Sequence, residues 1–292
     1  MLPAFRQRLL IGIGLIIGSW VWMRVASELG AADGSPGISL FDSSLGVPLA
    51  VVITVLAGLP AVGLGLVASS IGNPLSGIFV VAFSLLMLAA SGGSIEGFLW
   101  RSNLPGRYGA LIVETIFWSM AMVGLLFLTG LVRHTFRTWL ARLTGTDPAH
   151  GTRNQLLHVD SHTLLAGLIA AGIGGLLSNL LIQSAISGQV LGSLVLAFAI
   201  GALMAQLIMP NASPLGILLA PTVVAIAGYA YVLFNGNISG TDDVLRAWYR
   251  SDLPGLALSL PIQYLSGGIV GATIGLGLAQ SLDQTHTPTA ET

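Results

Sequence analysis

The chain has no cysteine, its eleven basic residues are all arginine, and only 8% of its 292 residues are charged. Without cysteine there are no disulfides, no thiolate nucleophile and no thiolate-held metal. Without lysine there is no Schiff-base chemistry. A soluble domain carries about 25% charged residues, so this chain cannot cover a water-facing surface. The net charge of −1 offers no basic field for nucleic acid. Also missing are a Gly-x-Ser-x-Gly elbow, a P-loop and a dinucleotide fingerprint. None of the five histidines falls in the body of an apolar run, which argues against haem held between membrane helices. No catalytic constellation and no cofactor is expected.

What is present is apolar. Hydrophobic residues make up 54% of the chain and the mean hydropathy is +0.86. Eight runs reach the roughly 20 residues that a hydrocarbon core of about 30 Å demands. They lie near 9–27, 47–69, 73–91, 108–131, 162–184, 189–209, 214–234 and 258–281. Runs two and three, and runs six and seven, are joined by short Pro-containing turns around Asn73-Pro74 and Ser213-Pro214. The first run follows Arg6 and Arg8 as a signal peptide would, but Trp20 and Trp22 suit a retained, interface-anchored helix.

Two stretches repeat each other: Trp100-Arg101-Ser102-Asn103-Leu104-Pro105-Gly106 and Tyr249-Arg250-Ser251-Asp252-Leu253-Pro254-Gly255. Each precedes the fourth run of its half. Together with the matched hairpins, this predicts an all-α polytopic bundle of about eight transmembrane helices in two parallel, pseudo-symmetric four-helix repeats. The repeats span 1–147 and 148–292, the second with an insertion near 235–241. The balance of arginines places both termini in the cytoplasm of a cell-membrane protein. Val132, Phe136, Leu140 and Leu143 predict a basic amphipathic helix on the inner leaflet, and Thr241-Asp242-Asp243 a surface helix on the outer one. In the repeated motif, Pro105, Gly106, Pro254 and Gly255 read as corners into the membrane, and Arg101 and Arg250 as paired cations for lipid phosphate or an anionic ligand.

Polar side chains inside the runs are the candidate site. Superposing the halves sets Arg24 opposite Asn179, Glu28 opposite Gln183 and Glu114 opposite Gln263. These six form a predicted polar cluster in the outer third of the membrane, with Arg24 as the partner of Glu114. His158, Asp160 and His162 are a weak metal signal, since Asp160 equally suits a helix cap. Gly267, Gly271 and Gly275, and Gly167, Ala171 and Gly175, predict a close contact between runs five and eight.

The expected function is a transporter-like permease for a small solute with Glu114 on its path. The alternative is a non-catalytic membrane subunit that scaffolds a larger complex. A third, weaker reading is an intramembrane lipid-modifying enzyme using Asp242, Asp243 and Glu96. The expected partners are the lipid bilayer and another membrane protein or a second copy, with no nucleic acid.

Overall fold

The computed structural model describes residues 2–31, 39–71, 73–101, 106–144, 159–235 and 244–286, and these are helical throughout apart from an isolated Ala31–Ser43 bridge and the connections. In order, the helices are α1 (Leu2–Ala26), α2 (Val47–Ile71), α3 (Pro74–Ser91), α4 (Ile95–Arg101) and α5 (Arg107–Thr144). There follow α6 (Ser161–Leu181), α7 (Ser187–Ile208), α8 (Pro214–Phe234) and the short α9 (Val244–Tyr249). The last helix is composite, built from a 3₁₀ turn at Gly255–Leu258, α10 at Pro261–Gln263, a π-helical stretch at Tyr264–Gly268 and α11 at Ile269–His286.

Among the described residues, seven helices are long and apolar enough to cross a membrane. An eighth crossing arises if α3 and α4, which meet at a 53° bend, form one span. The caps explain where helices begin. Asn73 accepts from the Leu75 N–H at 3.0 Å and Ser213 from the Leu215 N–H at 3.4 Å, each with proline at the first helical position, where its missing N–H costs nothing.

The core has two groups. Helices α1, α2 and α3 pack on one another, and α6 packs on α7 and α8 while α11 packs on α7. The groups are joined crosswise: α5 lies on α8, and the π-helical stretch and α11 lie on α3. Trp100 and Tyr249, the first residues of the two repeated motifs, meet edge to face with ring centroids 6.4 Å apart.

Two expectations are corrected. The glycines of α11 and α6 do not face each other. A Cβ on Gly271 or Gly275 would strike the carbonyls of Val195 or Ala199 on α7, whereas Gly167 lies 2.8 Å from the Gly216 carbonyl of α8, measured from its Cβ position. Small faces pair with whichever backbone can come closest, and sequence period alone does not name that partner. Second, Val132–Leu143 is helical but does not begin a new helix: it continues α5, a single helix of 38 residues with no proline inside it.

Candidate functional site

Glu114 lies about two turns into α5 and is 1% exposed. The Ser39 hydroxyl donates to its Oε2 at 2.7 Å, and the Leu40 N–H donates to the same oxygen at 3.3 Å. Trp118, one turn further along the same helix face, donates from Nε1 to Oε1 at 3.3 Å. All three donors are neutral. Two residues beyond Leu40, Asp42 accepts from Arg101 Nε at 2.8 Å and pairs with its Nη2 at 2.8 Å. The connection from α1 to α2 thus touches α5 through Ser39 and Leu40, and α4 through Asp42.

The predicted six-residue cluster does not assemble. Arg24 is exposed, with its guanidinium 5.8 Å from the centroid of the Trp20 ring. Glu28, Asn179 and Gln183 are exposed as well. At a helix end the guanidinium keeps its solvation and rests on an aromatic face. Burial beside Glu114 would cost both ions their hydration. Only Glu114 and Gln263 of the six are buried. Gln263 Oε1 accepts from the Leu260 N–H at 2.8 Å, and its Nε2 has no protein partner among the described residues.

The break before α10 is held by three tyrosines from three elements. Tyr108 of α5 donates to the Ala257 carbonyl at 3.2 Å, Tyr229 of α8 to Ser259 at 2.6 Å and Tyr264 to Leu256 at 2.9 Å. Their rings meet in series, the first pair tilted and the second edge to face, with centroids 5.8 and 6.2 Å apart. Non-helical backbone within a membrane bundle needs such partners for its carbonyls, since lipid offers none.

The second motif is a corner. The Asp252 N–H donates to the Ala247 carbonyl and the Ser251 N–H to Trp248, the paired bonds of a Schellman cap, with Ser251 in the left-handed region at φ 58°. Pro254 then opens the 3₁₀ turn. The Cβ position of Gly255 is 2.6 Å from the Ile182 carbonyl and 2.8 Å from that of Asn179, so the second corner needs glycine for close packing. Gly106 has open space around it. Pro105 lies outside the described residues, as do Asp242 and Asp243. Arg250 is exposed, whereas Arg101 is committed to Asp42.

Asp160 is the N-cap of α6, accepting from the Thr163 N–H at 2.8 Å, and His162 is exposed. His158 lies outside the described residues. No group of three or more potential metal ligands forms among those described.

Sequence reasoning missed Ser39, Leu40 and Asp42 because nothing in a polar connection announces which carboxylate it will fold over. The available signal was length: residues 27–46 are far more than two antiparallel helices need. The tyrosines were hidden in apolar runs, where Tyr reads as another aromatic.

Comparison with protein-family models, curated proteins and solved structures finds no match. The chain is a helical membrane protein. That statement rests on the seven apolar spans themselves.

Proposed function

We propose that this protein is a permease of the transporter type, built from two related halves in a cell membrane, in which Glu114 binds a proton, a metal cation or a small amine. The observation that carries the reading is a carboxylate buried within a membrane span and met, among the described residues, by three neutral hydrogen-bond donors. A charge costs on the order of 2.5–3.5 kcal/mol at the centre of a membrane helix and less towards the surface, and such residues mark ion or substrate pathways. Polar contacts join the two halves at both ends of α3: Asn73 Nδ2 donates to Gln280 Oε1 at 3.0 Å, and Ser187 Oγ to the Gly93 carbonyl at 3.2 Å. Contacts at both ends are what an occluded state of an alternating-access protein requires. The crosswise packing and the Trp100–Tyr249 contact support the duplication.

The test is flux into proteoliposomes of protons, sodium and methylammonium, each measured separately. Glu114→Gln, which keeps the volume and the hydrogen-bonding oxygen, should lower flux at least tenfold with an unchanged elution profile. Equal flux in the variant for every probe that wild type transports, or no wild-type flux at all, removes the permease reading.

One observation favours a second reading, a non-catalytic subunit of a larger complex. A crevice between α3, α5, α8 and the last helix is lined by Ile78, Met122, Leu126, Leu218, Leu265 and Ile269, with no polar side chain to conduct a solute. A stoichiometric set of partners retained in mild detergent and lost, with stability, in harsh detergent would support it. A stable, partner-free protein would count against it.

A further inference from the structure

The segment Ser39–Asp42 lies against the buried carboxylate of Glu114. Among the described residues, a few polar contacts and the burial of Leu40 in the core hold that segment. Ser39 and Leu40 are buried against α5 by two hydrogen bonds to one carboxylate oxygen. Asp42 is fixed to α4 by the Arg101 ion pair. Behind it, the Ser44 N–H donates to the Gly30 carbonyl at 3.0 Å, and the chain turns into α2 at Gly46, where φ is +75°. Glycine takes that left-handed conformation without a Cβ penalty, so this position can serve as a pivot. No helix or strand lies between the bridge residue Ser43 and Gly46 to stiffen the segment.

We propose that Ser39–Asp42 is the gate over Glu114 and that the Arg101–Asp42 pair is its latch. The inference rests on the reading of Glu114 as a binding group. The geometry gives the two clamps different roles. The Ser39 and Leu40 bonds end on Glu114 itself, so a cation or proton taken up by the carboxylate competes with them directly. The Arg101–Asp42 pair ends on α4, does not involve the carboxylate, and holds the segment down whatever Glu114 carries. An arginine in the first repeated motif thereby sets how often the site opens. Its counterpart Arg250 is exposed and takes no part.

The absence of cysteine makes the test clean. Leu40→Cys replaces a buried side chain while leaving its N–H on Glu114 and both neighbouring clamps in place. Ser44→Cys is an exposed control on the same connection. In nanodiscs, where both faces are open, a small charged methanethiosulfonate should modify Leu40→Cys far more slowly than Ser44→Cys. Adding Arg101→Gln should speed the Leu40→Cys reaction roughly tenfold or more without changing the control, because local opening sets the rate of a buried thiol. Asp42→Asn reports the same latch from its other side. The charge swap Asp42→Arg with Arg101→Asp should restore slow labelling, which a general loss of packing could not do. Leu40→Cys reacting as fast as the control, or a rate unmoved by both latch variants, overturns the gate. Loss of the latch effect while transport still depends on Glu114 sinks the gate alone. A latch effect beside Glu114-independent transport sinks the permease reading alone.

Discussion

At the residue scale, burial and partners separate side chains that the sequence presents as equals. Glu114 and Arg24 are both ionisable residues within apolar runs, yet one is enclosed by neutral donors and the other rests on an exposed indole. Two smaller positions carry predictions of opposite sign. Asp160→Ala removes the cap of α6 and should lower thermal stability in nanodiscs by about 1 kcal/mol. Ser251→Gly relieves a left-handed conformation that costs a non-glycine residue roughly 1 kcal/mol, so it should raise stability by a few tenths to about 1 kcal/mol. A melting temperature that falls for Ser251→Gly would mean the Ser251 side chain makes a contact that outweighs the strain. The capping role of Asp160 was legible in the sequence because a cap is local. Two of the three donors to Glu114 were not, because they come from 74 and 75 residues away in the chain.

At the scale of elements, two helix contacts and one helix break determine the packing around the site. On α11, Gly275 presses on the α7 carbonyl of Ala199, while Gly277, two residues on, has open space around its Cβ position. Gly275→Ala should push α7 and α11 apart and cost about 2 kcal/mol or more, from overpacking against backbone that cannot yield. Gly277→Ala should be neutral or stabilising by up to about 1 kcal/mol, through helix propensity. Both are read from thermal unfolding, and like signs for the two would refute the assigned contact. The small-residue spacing of α11 was visible in the sequence, but its partner was not: the period marks a face and carries no address. The break before α10 depends on the three tyrosine hydroxyls. Tyr229→Phe strands the Ser259 carbonyl in a buried site and should cost roughly 1–3 kcal/mol. The effect should appear first as faster hydrogen exchange around Leu260 and Gln263. Unchanged exchange there would show that another donor replaces the hydroxyl.

At the scale of the whole molecule, composition and run length were sufficient to give an all-helical membrane bundle and the positions of its spans. The order of the runs did not give the crosswise contact of α5 with α8 and of the last helix with α3. Adjacency in sequence fixes which helices can be neighbours through short turns. Which distant helices meet is settled by shape, here by glycine against carbonyl and aromatic against aromatic. The match between the two corner motifs was legible. Their difference in role was not, since it depends on Asp42 beside one and on the end of α6 beside the other.

The bend between α3 and α4 also bears on which side of the membrane the two ends of the chain emerge. Gly267, Gly271 and Gly275 of the last helix meet α7 near Leu194, Val195 and Ala199, positions that rise together, so these two helices run in the same direction. Ser187 begins α7 at one face of the bundle, and Gln280 stands near the end of α11 at the other. Helix α3 begins beside Gln280, and the chain just past its end reaches Ser187. It therefore traverses the full thickness despite being the shortest of the spans, and the passages come to an even number. With eight passages among the described residues, residues 8 and 282 are expected in one compartment. Topology reporters placed at those two positions should agree in sign, and disagreement would mean that α3 turns back before it crosses.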